Sequence, residues 1–333
     1  MNEINYQLPF RDTEEATPGD QKILFIVNPV SGRMKSKTGL VDILDELYRK
    51  DGEPVTDRRV TVAVTMYRGH AAELAASSHN EGYDTVICCG GDGTLSETIA
   101  GLLQIPEEHR PPLGYIPAGS TNDFATSVGI PTSLRDAARM AVHAKPFALD
   151  IGRFEPMGDH PTRHFTYIAS FGLFTSVSYS TPQHFKNVMG HSAYLLSGMK
   201  DISNLQPRSC TFILDGTRKV EGSFVFGAIT NTTSAAGVVQ LPEDQVSLSD
   251  GELEVFLIHM PEDPLDFHII LNSLAEMEFD TCPLIEFHHA KTVDVILDGP
   301  TSWSLDGEEA TSGSRVRIDC VPAAIRFRAD SQI

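Results

Sequence analysis

Asp92 is a carboxylate set inside a run of glycines, Gly90-Gly91-Asp92-Gly93-Thr94, and that setting has few chemical uses. Glycines let a backbone approach a ligand with no Cβ in the way, and a helix that starts there aims free N–H groups at an anion, above all a phosphate. A carboxylate in the same turn repels phosphate unless a cation such as Mg²⁺ lies between them. The turn therefore implies a metal-nucleotide, with Asp92 meeting the metal through the phosphates; the alternative is that Asp92 fixes the turn by an Asx-type bond. Thr94 and Glu97 have the spacing of a capping box, in which the hydroxyl serves the Glu97 amide and the carboxylate reaches back, so Glu97 has a structural role open to it beside a ligand-binding one. No Gly-x-x-x-x-Gly-Lys-Ser/Thr occurs, which excludes the P-loop manner of holding phosphate.

The elements around the turn are set by apolar spacing. Thr85 to Cys89 has strand length, and Leu95, Ile99, Leu102 and Leu103 share one helix face. Lys22 to Val27 reads as a strand covered on both faces and breaks at Asn28-Pro29-Val30-Ser31-Gly32-Arg33, a second phosphate-side loop. Leu40, Val41, Leu44, Leu47 and Tyr48 keep helical spacing up to Asp51-Gly52. Val60 to Thr65 is the next strand, and Gly69-His70 opens a short helix that carries Ala71, Leu74 and Ala75. Leu113 to Ile116 then runs into Pro117-Ala118-Gly119-Ser120-Thr121-Asn122-Asp123-Phe124-Ala125, and Ser133 to Ala144 reads as a closing helix. Alternating strands and helices imply a parallel sheet, whose ligands sit beyond the carboxyl ends of its strands; the loops at Asn28, Thr65, Gly90 and Gly119 all fall on that edge.

The texture changes after Lys145-Pro146. Short β-prone runs follow at Phe165 to Ala169, Thr211 to Leu214, Phe224 to Thr230, Leu253 to Ile258, Val293 to Leu297, Val316 to Ile318 and Ile325 to Phe327. Asp215-Gly216, Asp250-Gly251, Asp298-Gly299 and Asp306-Gly307 punctuate them, and hairpin turns are the plain reading of Asp215-Gly216, Asp298-Gly299 and Asp306-Gly307. Ala193 to Ser203 and Leu265 to Met277 read as helices. The chain thus divides into a mobile tail (1–20), an α/β nucleotide-binding domain (21–145), a β-rich domain (146–320) and a C-terminal segment (321–333).

Composition sets the outer bounds. The 333 residues allow two domains, and a hydrophobic content of 41% is ordinary for a globular chain. A net charge of −19 argues against non-specific binding to nucleic acid or anionic lipid, so any membrane contact must be local, for instance at Lys186, Lys200, Arg208, Arg218 and Lys219. The five cysteines have no metal-ligand spacing and suit a reducing compartment. With no apolar stretch of about 20 residues and no signal pattern at the N-terminus, a cytoplasmic protein without a transmembrane segment is expected. His70 reads as a helix-start residue packed under the nucleotide, and His288-His289 as residues of a strand edge.

Taken in order, Asn28-Pro29-x-Ser31-Gly32, Gly90-Gly91-Asp92-Gly93-Thr94-x-x-Glu97 and Pro117 to Ala125 resemble the diacylglycerol kinase catalytic-domain family, nearest to its bacterial lipid kinases, relatives of the sphingosine and ceramide kinases. The resemblance runs from about Lys22 to about Phe327 and includes Asn187-x-x-Gly190-x-x-Ala193-Tyr194-Leu195, Pro242 with Asp250-Gly251, and Leu305-Asp306-Gly307-Glu308. It implies an NAD kinase/diacylglycerol kinase-like α/β domain, a β sandwich-like domain, a cleft between them, and a C-terminal segment that returns toward the first domain.

The resemblance also implies ATP and Mg²⁺, and the phosphorylation of the hydroxyl of a diacylglycerol-like lipid at the cytosolic membrane face. A sphingoid base or NAD as acceptor, and a non-catalytic nucleotide-sensing module, are the alternatives. Asn28, Ser31, Gly32, Thr65, Gly90 to Thr94, Glu97, and Gly119, Ser120, Thr121 and Asn122 would bind nucleotide. Asp306 would be the base, with Glu308 beside it as a metal or supporting carboxylate and Asp92 as the rival base. Asp250 matches a position that holds a structural Mg²⁺, and the lipid path would follow Phe171 to Val177 and Tyr194 to Leu196. A homodimer is compatible with the sequence. In this chain Ser120-Thr121 stands where the family has Thr-Gly, which puts a β-branched side chain where a positive φ is expected and narrows the nucleotide pocket.

Overall fold

Strands at the start of the chain are apolar through their whole length because helices cover both of their faces. A computed structural model describes residues 21–32, 37–50, 52–120, 122–173, 206–235, 239–242 and 244–330. In chain order β1 (Gln21–Val27) leads to α1 (Lys37–Leu47), a small hairpin of β2 (Arg49–Lys50) and β3 (Glu53–Pro54), then β4 (Arg58–Val64), α2 (His70–Ser77), β5 (Thr85–Gly90), α3 (Asp92–Leu102), β6 (Leu113–Pro117), α4 (Asp123–Ser127) and α5 (Leu134–His143). The strands pair in parallel in the order β4-β1-β5-β6. Ile23, Phe25 and Ile26 of β1 and Val86 to Cys89 of β5 have no exposure, so this sheet is the spine of the first core. Helix α5 starts at Ser133, whose side chain accepts the Asp136 N–H as a helix cap.

The rest of the described chain is mostly antiparallel. It comprises β7 (Pro146–Pro156), β8 (Arg163–Phe165), β9 (Ile168–Gly172), β10 (Arg208–Leu214), β11 (Arg218–Thr230), β12 (Ser234–Ala235), β13 (Val239–Gln240), β14 (Leu253–His259), α6 (Pro264–Glu276), β15 (Ile285–Ala290), β16 (Thr292–Leu297), β17 (Thr301–Leu305), β18 (Glu308–Ser312) and β19 (Arg315–Arg328). A continuous sheet follows the order β18-β17-β9-β11-β10-β16-β19 and passes into β6, β5, β1 and β4. Strand β19 joins the halves: it pairs antiparallel with β7 and β16, then parallel with β6 through Phe327–Leu113 and Arg328–Gly114. A second core fills the β half. At its centre Trp303 packs edge-on to Phe154 and Phe171, at 5.2 and 5.0 Å between ring centroids, and donates from Nε1 to Ser312 Oγ at 3.0 Å. The fold is therefore an α/β domain with parallel strands followed by a β sandwich-like domain, as expected from the sequence.

Several local expectations are corrected. Phe165 to Ala169 is two strands rather than one, because the N–H groups of Thr166 and Tyr167 turn aside to a carboxylate described below. Val316 to Ile318 and Ile325 to Phe327 belong to a single strand with an irregularity between Val321 and Ile325. Asp215-Gly216 does turn the β10–β11 hairpin, with φ of 49° and 69°, but Asp298-Gly299 turns none, since β16 and β17 lie apart in the sheet. Phe171 faces the second core and has no exposure, so it lines no lipid path. The rest of that path (174–177 and 194–196), the 193–203 helix, Lys186 and Lys200 lie outside the described residues, as does the 1–20 tail. Arg208 and Lys219 are paired with Asp298 and Glu221, at 3.7 and 2.6 Å, and so form no free basic patch.

The described cysteines are all free thiols, and burial pushes Cys89, Cys210 and Cys320 up to about 12. His288-His289 do lie on an edge strand, β15, which pairs with β14 alone. Among the described residues no helix is long and apolar enough to cross a membrane.

Candidate active site

Four loops leave the carboxyl edge of the parallel strands and meet. After β5 the chain turns directly into α3, with Gly91 as its N-cap and Asp92 in its first turn. After β6 the chain returns so closely that a Cβ on Gly119 would lie 2.5 Å from Gly91 Cα and 2.8 Å from Asn122 Oδ1. Only two glycines permit this contact, which leaves a bare backbone surface at a helix N-terminus. The loop after β1 closes the third side: Asn28 Nδ2 donates to Thr94 Oγ1 at 3.0 Å, and a Cβ on Gly32 would lie 3.2 Å from Ser120 Oγ. Thr65, past the end of β4, donates its N–H to Val27 O at 2.9 Å and completes the row.

The cleft in front of these loops encloses roughly 530 Å³ and is lined by Asn28, Ser31, Thr65, Gly91, Gly93, Thr94 and Glu97, by an apolar lip of Val30, Met66 and Tyr67, and by Arg68 and Glu308. Of the nucleotide-binding residues expected from the sequence, Asn28, Ser31, Thr65, Gly91, Gly93, Thr94 and Glu97 line this cleft, with differences in role. Thr94 and Glu97 make no capping box, because α3 begins at Asp92 and both lie inside it. Glu97 Oε1 instead accepts the Gly69 N–H at 2.8 Å and ties the start of α2 to α3. His70, the first residue of α2, accepts the Met66 N–H at Nδ1 (3.2 Å) and stacks on Tyr67. Asn122 is buried and turned into its own loop, accepting the Gly119 N–H at 2.9 Å and donating to Gly119 O at 3.1 Å. Among the described residues of this loop Asn122 is left-handed, with φ 54°, and Asn tolerates that conformation well. Thr121 lies outside the described residues.

Asp92, the first residue of α3, is half-buried. Its Oδ2 accepts the Asp123 N–H at 3.1 Å, which joins the two glycine-bearing loops. Beneath it, burial pushes the Tyr115 phenol far up, and the Asp92 charge adds to the shift. As for a metal, no group of three His, Cys, Asp or Glu side chains among the described residues is placed to hold one. Asp92 by itself fits a cation that arrives on a phosphate chain rather than a resident ion. No ligand set gathers at Asp250, whose Oδ1 accepts the Glu252 N–H at 3.0 Å and so caps its own turn.

The hairpin between β17 and β18 reaches the cleft from the second domain. Its turn is Asp306-Gly307, both left-handed at φ 50° and 83°. Asp306, the base that the resemblance implies, is buried in this hairpin. It is 5% exposed, and its carboxylate accepts N–H groups from Thr166 (2.6 Å), Tyr167 (3.0 Å) and Ile168 (3.2 Å). Burial raises its pKa even against those bonds. Glu308, two residues on, faces the cleft: a Cβ on Gly93 would lie 3.9 Å from its Oε1, while Oε2 is bound by Arg68 at 2.8 Å and Arg163 at 2.9 Å. Sequence reading missed both arginines. Arg68 had a signal, a cation beside the Gly69-His70 helix start at a ligand-side edge, whereas Arg163 opens a three-residue strand with no pattern to mark it.

Comparison with known proteins follows the same division. A family model described as the diacylglycerol kinase catalytic domain matches residues 22–154, and one described as the YegS C-terminal NAD kinase beta sandwich-like domain matches residues 169–329. The chain is 32% identical over 234 residues to a diacylglycerol kinase of Bacillus subtilis, covering 70% of this chain and 72% of that one. It is 30% identical over 269 residues to a Shigella flexneri protein named "Probable lipid kinase YegS", covering 81% and 86%. A crystal structure of a diacylglycerol kinase from Bacillus anthracis superposes with a TM-score of 0.66 at 20% identity, over 93% of this chain and 97% of that one, a likeness of fold.

Proposed function

Because the chain belongs to the diacylglycerol kinase catalytic-domain family, a family of lipid kinases, we propose that it transfers the terminal phosphoryl group of ATP to the hydroxyl of a diacylglycerol-like lipid. The observation that carries this reading is the meeting of a bare glycine surface, at the N-terminus of α3, with a carboxylate from the other domain, Glu308, whose Oε1 faces Gly93. The first suits a polyphosphate, and the second suits an alcohol brought in line with its last phosphorus.

In this reading the backbone of Gly91, Gly93, Gly32 and Gly119 lies along the phosphates, and Asn28 and Thr94 hold the loops in register. Val30, Met66 and Tyr67 are 77%, 79% and 56% exposed, and they offer the adenine ring an apolar face. Magnesium, when bound with the nucleotide, neutralises phosphate oxygens, and Asp92 is the residue that would hold it. Glu308 Oε1 takes the proton of the lipid hydroxyl as its oxygen bonds to the γ-phosphorus. The bond from that phosphorus to the β–γ bridging oxygen breaks, and ADP leaves with the electron pair. A carboxylate is a weak base for an alcohol, which is acceptable where the transition state is largely dissociative and positioning provides most of the rate. Asp306 acts through the fold, fixing the hairpin that presents Glu308.

The test is to incubate the protein with γ-labelled ATP and Mg²⁺ against diacylglycerol, monoacylglycerol, ceramide, a sphingoid base and NAD. Label in phosphatidic acid supports the proposal. Label confined to NADP or to a sphingoid phosphate reassigns the acceptor, and ATP binding without transfer to any acceptor favours a sensing module.

A further inference from the structure

We propose that Arg68 is the ligand of the γ-phosphate, and that it leaves Glu308 for the nucleotide, so that arrival of a triphosphate frees the base it is needed with. The inference deepens the lipid kinase reading and rests on it.

A triphosphate brings several negative charges into a cleft that already presents Glu97 and Glu308. Among the described residues lining that cleft Arg68 is the one cation. Its planar fork of donors matches a phosphate as well as a carboxylate, and a terminal phosphate offers more charge and more acceptor oxygens than a single carboxylate does.

The two arginines on Glu308 differ in how they are held. Arg163 belongs to the second domain, is 30% exposed, and is anchored twice, by Nη2 to Glu308 Oε2 and by Nη1 to Glu309 O at 2.8 Å. Arg68 comes from the first domain, on the loop between β4 and α2, and its side chain is 77% exposed where it reaches Glu308 Oε2. It can therefore exchange partners at little cost, since an exposed ion pair of this kind contributes little. Arg163 stays, so Glu308 keeps its orientation when Arg68 departs.

Titration calorimetry of the full chain with ATP and with ADP, each with Mg²⁺, tests the assignment without any lipid. Arg68→Ala should weaken ATP binding roughly 10- to 100-fold, the range for a lost charge-assisted contact, and ADP binding by less than about 3-fold. Arg68→Lys should recover part of the ATP affinity, and Glu308→Gln, which removes the competing carboxylate, should bind ATP more tightly than the wild type does. Equal losses for ATP and ADP in Arg68→Ala, or no loss for either, would overturn the role of Arg68 and leave the kinase reading intact. If the wild-type chain binds neither nucleotide, the kinase reading fails and this inference fails with it.

Discussion

Replacing Asp306 by Asn separates a residue that builds the site from one that reacts in it. The amide is nearly the same size, and Asn accepts the left-handed φ of 50° that the β17–β18 turn requires, so the hairpin itself is not challenged. What changes is the acceptor. Oδ1 can still receive the Tyr167 and Ile168 N–H groups, now as neutral bonds, but the new NH₂ faces the Thr166 N–H, which loses its 2.6 Å bond in a buried setting. An unsatisfied buried N–H costs about 1–3 kcal/mol, and a charged bond made neutral loses roughly 1 kcal/mol. Burial, which raises the Asp306 pKa, returns part of this when the charge is removed, so the net loss is about 2–4 kcal/mol. Urea unfolding followed by the fluorescence of Trp303, the single tryptophan, reads this directly, because Trp303 lies on β17 in the core of the same domain. The variant should unfold at lower urea and, under conditions where it is folded, keep turnover within about tenfold of the wild type. An unchanged unfolding midpoint combined with a loss of turnover of 1,000-fold or more would mean that Asp306 is the base after all.

Two further outcomes follow from the geometry. Gly119→Ala should abolish measurable ATP binding while the chain stays folded, because the added Cβ meets the Gly91 backbone, which cannot yield without parting the two loops; full affinity in equilibrium dialysis would refute the cradle. Glu254 is fully buried on β14, and burial pushes its carboxyl up to about 8, with the charge of Asp250 adding to the shift. Between the ordinary carboxyl pKa near 4.5 and about 8 the unfolded chain therefore binds fewer protons than the folded one, and stability falls as pH rises, by up to about 1.4 kcal/mol per pH unit. Glu254→Gln should flatten that slope between pH 5 and pH 8 in denaturant titrations, and an unchanged slope would contradict the assignment.

How far the sequence alone leads depends on whether a feature is local. The glycine turn, the parallel strands and the row of loops are written in short stretches, since a strand buried on both faces must be apolar and a phosphate loop must lack side chains. The role of Asp306 was not legible, because its partners Thr166 to Ile168 are about 140 residues away, and Asp-Gly fits a plain hairpin turn as well as a catalytic triplet. Thr94 and Glu97 misled for a related reason: the capping-box spacing is real, but the helix starts earlier, where Gly91 and Asp92 meet the loop after β6. The pairing of Arg163 with Glu308 and Glu309 spans about 145 residues, which spacing within one segment does not encode.

In the proposed reaction Glu308, presented by the second domain, accepts the proton of a lipid hydroxyl while the glycine cradle holds ATP. The most direct measurement is single-turnover transfer from γ-labelled ATP to diacylglycerol by the wild type and by Glu308→Gln, with ATP affinity measured on the same preparations. The wild type should label the lipid, and the variant should bind ATP at least as tightly yet transfer slower by about 100-fold or more. Transfer by Glu308→Gln at the wild-type rate would contradict the claim.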